Sequence, residues 1–474
     1  MLRDRLQTES NNYDAVVCVQ GLGFVGAAMA LVVAAARRDD GTARYLVIGV
    51  DQDTETGRAR IEALGRGNFP FPNADPMLQE HLHQAVRVGN LYTTHDDSVF
   101  LWADVALVDV QLDVDFSVAP PETDLGSFKQ AIRTLGQHMP AGSLIIVETT
   151  VPPGTTANVV APTLASCLQG RGLPHDAIHV AHSYERVMPG PNYFDSIAKY
   201  WRAFAGMNSA SAAACSQFLE TIVDVANFPL TELSSPTSSE TAKILENSYR
   251  AVNIALMDEW GHFAEAIGVD LFEVIRAIRV RPTHSNMRQP GLGVGGYCLT
   301  KDPYFSAIAL EEFFPKARVD FPLTMRAMKI NEGMPESTAI RLRELLGGDL
   351  KNKNVLVMGA SYRGDVGDTR YSPSETLTRM LINAGANIRV HDPLAATWDV
   401  PEVPIEHEVP DPIDFDAVIF ATPHSIFESM NLAAWFGQHR PWILDSNNVL
   451  SDDQRLYLTS SNANKFFSVG RGKL

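Results

Sequence analysis

Tyr13 to Gln20 reads Tyr-Asp-Ala-Val-Val-Cys-Val-Gln, a β-branched apolar run that breaks into Gly21-Leu-Gly23-Phe24-Val25-Gly26 and resumes as the apolar stretch Ala27 to Ala36. A strand that feeds a glycine turn and then a buried helix is the first arm of a βαβ unit. It commits the following chain to a parallel sheet covered by helices. Glycines at this spacing let a dinucleotide's pyrophosphate approach the backbone with its charge facing a helix N-terminus. A second strand, Tyr45 to Val50, ends in Asp51, thirty residues after Gly21. The usual interval is about 20 residues, and Arg37-Arg38-Asp39-Asp40-Gly41 accounts for the excess as a longer turn. A carboxylate there accepts from a free ribose 2′-hydroxyl and repels a 2′-phosphate, which favours NAD over NADP. The plainer reading of Asp51 is a strand-end turn residue.

Further apolar runs, Val105 to Val110 and Ser143 to Val147, alternate with helical stretches, as a doubly wound parallel sheet requires. Ser235-Pro236 then opens a long helical pattern that Gly268 closes, with Ala242, Leu245, Val252, Ala255, Leu256, Phe263 and Ile267 at helical spacing. A helix of that length suits a spine or a dimer contact. Glu332-Gly-Met-Pro335 punctuates the pattern. From Asn354 a second strand and turn begins, Asn-Val-Leu-Val-Met followed by Gly359-Ala-Ser-Tyr-Arg363-Gly364, with later strands at Asn387 to Val390 and Ala417 to Phe420. The expected fold is α/β, two doubly wound Rossmann-like domains joined by a central helical domain with a long spine helix. The boundaries expected are 1–228, 229–335 and 336–474.

A chain of 474 residues is too long for one ordinary core. Its net charge of -17 repels nucleic acid and anionic membrane in bulk, so a phosphate-bearing ligand must meet local Arg, Lys or backbone N–H groups. Cys18, Cys167, Cys215 and Cys298 form no C-x-x-C pair, which indicates neither a metal site nor a disulfide framework and points to the reducing cytoplasm. The N-terminal residues lack the apolar core of a signal peptide, and the run Ala27 to Ala36 is too short to cross a bilayer.

Cys298 lies in Pro290-Gly-Leu-Gly-Val-Gly295-Gly-Tyr297-Cys298-Leu-Thr-Lys301-Asp302, which gathers a thiol, an ammonium and a carboxylate within five positions. This is a kit for covalent catalysis, and the glycines admit close approach. The bland alternative is a small buried hydrophobe. Lys243 and Asn247, four apart, share a face of the long helix and can aim an ammonium and an amide at one developing oxyanion. Without the cysteine loop they would read as a solvated face. Glu148-Thr149-Thr150-Val-Pro152 follows a strand at the ligand-binding end of the sheet, and Glu185 stands beside a turn in Glu185-Arg-Val-Met-Pro-Gly190.

Taken in order, these segments together with Gly359-Ala-Ser-Tyr-Arg-Gly-Asp365-Val-Gly-Asp368-Thr-Arg370-Tyr-Ser-Pro373 resemble the nucleotide-sugar 6-dehydrogenases, the family of UDP-glucose, UDP-N-acetylhexosamine and GDP-mannose dehydrogenases. The resemblance covers nearly the whole chain. It implies oxidation of a sugar C6 alcohol to the acid with two hydrides passed to NAD, through a Cys298 thiohemiacetal and thioester. It also implies that Lys243 and Asn247 face the tetrahedral oxygen, that Asp302 and Thr150 position or deprotonate water, and that Glu185 assists hydrolysis. Gly21, Gly23, Phe24, Val25, Gly26, Asp51, Thr150 and Lys301 are then expected at the cofactor. Glu185, Lys243, Asn247, Gly295, Tyr297, Arg363 and Arg370 are expected at the substrate, and the assembly expected is a homodimer or higher homo-oligomer.

The structural alternative for Arg370 is an ion pair with Asp365 or Asp368. Three positions depart from the family pattern: Val110-Gln111-Leu112-Asp113 replaces a Thr-Pro pair beside the cofactor, Tyr297 replaces a His common in N-acetylhexosamine enzymes, and Tyr184 replaces a Pro. The Asp365 to Pro373 segment is nearer the UDP-N-acetylhexosamine branch. UDP-glucose or GDP-mannose as substrate, and a nucleotide-sugar-binding homologue without turnover, stay open as alternatives.

Overall fold

The computed structural model describes residues 2–72, 75–461 and 465–472. They form two compact units, Met1–Leu245 with Tyr304–Asp320, and Glu246–Pro303 with Phe321–Leu474.

The first unit is built on β1 (Ala15–Gln20), β2 (Tyr45–Val50), β3 (Leu91–Thr94), β4 (Val105–Val108), β5 (Leu144–Val147), β6 (His179–His182), β7 (Ala203–Gly206) and β8 (Thr231–Glu232). Their order is β3-β2-β1-β4-β5-β6-β7-β8, parallel except for the β6–β7 pair. The strand order reverses between β1 and β4, which creates the crevice where open α/β sheets bind ligands. Strands covered on both faces read as continuous apolar runs, and β1 shows why. Val17 and Val19 enter one core with the helix Phe24–Ala35, while Val16 and Cys18 enter the opposite core with Phe128, Ile132 and Leu135 of the helix Gly126–His138.

Strand β4 stops at Val108, two residues short of the expected Val110. The Thr149 hydroxyl donates to the carbonyls of Val108 and Val110, each at 3.0 Å, and at Val110 a side chain meets what a longer ladder would have met by backbone.

The spine helix forms as expected over Pro236–Ile267, and the Ser238 N–H donates to the Ser235 hydroxyl at its start. The second unit carries β9 (Asn354–Met358), β10 (Asn387–His391), β11 (Ile405–Glu406), β12 (Ala417–Phe420), β13 (Trp442–Asp445) and β14 (Phe466–Ser468), all parallel in the order β11-β10-β9-β12-β13-β14. This is the second doubly wound sheet. Pro335 does not break the chain's helical course: the helix Pro322–Leu345 runs through it, with Pro335 buried. A proline inside a helix costs about 3 kcal/mol. Here its ring packs where a Gly293 Cβ would stand, so it is held by the loop that leads to Cys298.

Candidate active site

In the first unit the turn after β1 is shaped by its neighbours. Gly21 has φ +96°, and a Cβ on it would lie 2.5 Å from the Asp109 carbonyl oxygen; a Cβ on Gly26 would lie 1.9 Å from the Gly21 carbonyl oxygen. Only glycine fits at either position. Gly23, the residue preceding the helix Phe24–Ala35, faces open space within 4 Å of where its Cβ would be. The turn therefore offers bare backbone at a helix N-terminus, the cradle a pyrophosphate needs. Phe24 stacks on Phe71 with ring centroids 4.0 Å apart, and Val25 begins the same helix.

Asp51 accepts from the Leu22 N–H at 3.3 Å, from the Gln52 N–H at 2.8 Å and from Arg60 Nη1 at 3.2 Å. Its carboxylate is thus fixed beside the turn, at the end of β2 where a ribose would be read. These residues fit a dinucleotide with a free 2′-hydroxyl.

A cluster of acids and bases lies at the carboxyl ends of β4, β5 and β6. Arg202 donates through Nη2 to Glu148 Oε1 and through Nε to the Ser183 hydroxyl at 3.1 Å, with Arg202 and Glu148 both nearly excluded from solvent. Lys243 Nζ donates to the Glu185 carbonyl at 2.8 Å and lies 3.4 Å from Glu185 Oε1, while Glu185 Oε2 accepts from the Val187 N–H. Lys243 also lies over the Tyr184 ring, 5.6 Å from its centroid, so Tyr184 serves as its apolar platform. Burial pushes Glu148 up to about 7 even against Arg202, and it pushes His182 down to about 3 with Lys243 adding to the effect. Thr150 is half-buried in the loop that follows β5. That loop is pinned by Glu240, whose two oxygens accept from the Gly154 N–H at 2.6 Å and the Thr156 N–H at 2.7 Å.

In the second unit Cys298 is exposed, whereas Cys18 and Cys215 are buried and pushed upward by burial, and Cys167 is half-buried. Burial makes Cys18 and Cys215 inert thiols, whereas Cys298 is open to a reaction partner. Asp302 is wholly buried and uses both oxygens: Oδ1 takes Lys301 Nζ at 2.8 Å and Oδ2 takes Asn247 Nδ2 at 2.8 Å.

Lys301, expected at the cofactor, is held by Asp302 and by the Tyr297 ring, 4.3 Å from its centroid. The shared helix face expected of Lys243 and Asn247 carries two separate attachments, Lys243 to Glu185 and Asn247 to Asp302.

The glycines before the thiol admit protein side chains. A Cβ on Gly295 would meet Tyr362 Cβ at 2.5 Å, and Gly296, at φ +83°, stands against the Tyr362 ring. Arg370 makes the ion pair given as its structural alternative, forking onto Asp368 at 2.8 to 3.2 Å through the side chains, and its guanidinium lies 5.3 Å from the Tyr297 centroid. Tyr297 therefore meets both Lys301 and Arg370. Arg363 is exposed on the turn after β9.

Sequence reasoning passed over Asp109, Arg202, Glu240 and Tyr362 as supports of these groups, whereas Asp368 was named as an alternative partner of Arg370. Asp109 fell inside the strand expected over Val105 to Val110, so its place past the strand end carried no signal.

The NAD binding domain of the UDP-glucose/GDP-mannose dehydrogenase family matches residues 15–222, its central domain 237–333 and its UDP binding domain 356–452. The chain belongs to the UDP-glucose/GDP-mannose dehydrogenase family. It is an NAD-dependent nucleotide-sugar dehydrogenase, with the cofactor bound by the first domain and a UDP-sugar-type ligand by the last.

It is 30% identical over 461 residues to the UDP-N-acetyl-D-mannosamine dehydrogenase of Pyrococcus horikoshii, covering 96% of this chain and 99% of that protein. It is 25% identical over 444 residues to the UDP-glucose 6-dehydrogenase of Rickettsia conorii, covering 91% and 95%. The solved structure of the P. horikoshii UDP-D-ManNAc dehydrogenase superposes with a TM-score of 0.80 at 28% identity, over 97% of this chain and 100% of that one. Among the described residues no helix is long and apolar enough to cross a membrane.

Proposed function

We propose that the protein oxidises the C6 alcohol of a UDP-N-acetylhexosamine to the uronic acid in two hydride steps, with Cys298 as the covalent carrier. The observation that carries this reading is the exposed Cys298 thiol in a loop whose Asp302 is buried and held by Lys301 and Asn247. Binding alone would need no such thiol.

Bound NAD supplies the hydride acceptor. The chain's own residues do the rest. The alcohol loses a proton and a hydride to give the aldehyde, the Cys298 thiolate adds to its carbon, and the resulting oxyanion is stabilised by the Lys243 ammonium and the Asn247 amide. A second hydride leaves from the thiohemiacetal and gives the thioester. Water then cleaves the C–S bond, with Asp302 and Thr150 orienting it and Glu185 assisting, and returns the thiol and the acid. In this reading Arg363 and Arg370 meet the diphosphate, Tyr297 and Gly295 border the sugar, and 1–228, 229–335 and 336–474 are the NAD-binding, central and nucleotide-sugar-binding regions.

The N-acetylated sugar is supported by the likeness to the P. horikoshii enzyme across nearly the full chain. UDP-glucose is the second reading, supported by the R. conorii enzyme.

The chain works in the cytoplasm as a homodimer. The spine helix supports the dimer, because Tyr249, Leu256, Trp260, Phe263 and Ile267 are exposed along it at helical spacing and Trp260 packs edge-on against Phe263. The deciding experiment offers purified protein NAD and a panel of UDP- and GDP-hexoses while NADH and acid product are followed. Acid from UDP-N-acetylmannosamine above the other sugars is expected. Preference for UDP-glucose would establish the second reading, and tight sugar binding with no NADH from any sugar would leave a binding protein.

A further inference from the structure

The loop that follows β5 is clamped at both ends. At its start the Thr149 hydroxyl is fixed on the Val108 and Val110 carbonyls. At its far end Glu240, only 1% exposed, accepts from the Gly154 N–H at 2.6 Å through one carboxylate oxygen and from the Thr156 N–H at 2.7 Å through the other. From Thr149 to Thr156 every residue is buried except Thr150. The clamped loop therefore presents one side chain, and that side chain is a hydroxyl.

The local chain explains why a distant carboxylate is needed. Gly154 has φ +103°, and a Cβ on it would stand 3.1 Å from the Phe314 ring, so the turn requires glycine. It leads into the helical run Thr156–Gly170, whose first N–H groups have no partner inside the run. Thr155 does not cap them, because its hydroxyl donates to the Pro152 carbonyl at 2.7 Å. Glu240 of the spine helix supplies the cap, with two short charge-assisted bonds at the positive end of the run.

Glu240 also sets two loops in register. Lys243 is three residues further along the spine helix and so lies on the same face, where its ammonium donates to the Glu185 carbonyl at 2.8 Å. One turn of helix thus ties the loop carrying Thr150 to the loop carrying Glu185.

We propose that Glu240 is a positioning residue for the hydrolytic half of the reaction, fixing Thr150 where the attacking water is oriented by holding the Gly154 and Thr156 N–H groups. The inference rests on the covalent reading given under the proposed function. In that step the water oxygen bonds to the acyl carbon and the C–S bond to Cys298 breaks; one water proton passes to the sulfur, the other stays with the acid, and no hydride moves. Both hydride transfers come earlier. Loss of the clamp therefore stalls the enzyme as the thioester while NADH is still made in the first turnover.

Rapid mixing of the full chain with NAD and UDP-N-acetylmannosamine, or UDP-glucose if that is the sugar oxidised, tests this by following NADH and counting acylated Cys298 by intact mass after acid quench. In Glu240→Gln one oxygen still accepts, but the amide N–H group opposes the second backbone donor. Acid formation is expected to fall about ten- to a hundredfold, with first-turnover NADH within about threefold of wild type and the acyl-enzyme as the main species. Thr150→Ala should stall at the same step. Because Glu240 acts through Thr150, the double variant should be no more than about threefold slower than Thr150→Ala, whereas independent effects would multiply. If Glu240→Gln fails to fold, Glu240→Asp, which keeps the charge on a shorter side chain, enters the same comparison. A Glu240 variant that makes acid at the wild-type rate, loses NADH and acid in equal proportion, or multiplies with Thr150→Ala would overturn the proposal alone. Wild-type acid formation by Thr150→Ala would instead overturn the role of Thr150, and slowed variants with no acyl group on Cys298 would overturn the covalent reading, the proposal falling with either.

Discussion

At the scale of single residues, the chemistry depends on charges whose partners come from distant parts of the chain. Asp51 holds the Arg60 guanidinium at 3.2 Å, so the carboxylate proposed to exclude a 2′-phosphate also neutralises the cation that would welcome one. Asp51→Ala should release Arg60 and bring the KM values for NAD and NADP within about tenfold of each other, measured by initial rates with each cofactor. A variant that still rejects NADP would show that Arg60 cannot reach the 2′-position. Arg202→Met leaves Glu148 buried without its cation; such losses cost about 3–5 kcal/mol, and a large drop in melting temperature near neutral pH is the expected outcome. Cys298 and Asp51 stood out in sequence because the first lies in a glycine-dense loop and the second directly follows a strand. Arg202, Glu240 and Asp109 did not, because an isolated charge beside a strand acquires a meaning only when the sheet register brings its partner alongside.

At the scale of elements, the two glycine turns differ in what faces them. In the second unit Asp392, at the end of β10, fills its own turn: it accepts from the Ala360 and Ser361 N–H groups at 2.8 and 2.9 Å, from the Ser361 hydroxyl at 3.0 Å and from His424 Nε2 at 3.1 Å, and its other oxygen takes the Leu394 and Ala395 N–H groups. Burial pushes this carboxyl up, and the bonds from His424 and the backbone outweigh it and hold it below the usual range. Its stabilisation is therefore present above the unfolded carboxylate value and is lost as pH falls through the lower folded one. Asp392→Asn should melt lower than the wild type at neutral pH, with the gap narrowing as the medium is acidified below about pH 4; a gap that stays constant would mean that charge is not its source.

The spine helix was readable from end to end because capping, periodicity and Gly268 agree. Pro335 misled because its cost is local, whereas the packing against Gly293 that supports it is a contact made in three dimensions. Trp260→Asp, placed in the exposed stripe, should shift the protein from dimer to monomer in sedimentation; an unchanged dimer would locate the interface elsewhere.

At the scale of the whole molecule, two doubly wound sheets carry two different ligands. The order of motifs along the chain identifies the family, while motifs do not encode the contacts of Tyr297, whose ring meets Lys301 and Arg370 one residue before the thiol. The first turn leaves Gly23 bare and the second is closed by Asp392, so one NAD per chain is expected in a binding titration.

In the proposed mechanism everything distinctive about the reaction passes through Cys298, the exposed thiol. The most direct measurement is therefore the yield of NADH and sugar acid from wild type and Cys298→Ala under identical turnover conditions, with NAD binding checked for both. The wild type should give about two NADH for each acid, one for each hydride step, while the variant binds NAD normally and makes no acid. Acid formed by Cys298→Ala at the wild-type rate would contradict a covalent role for Cys298.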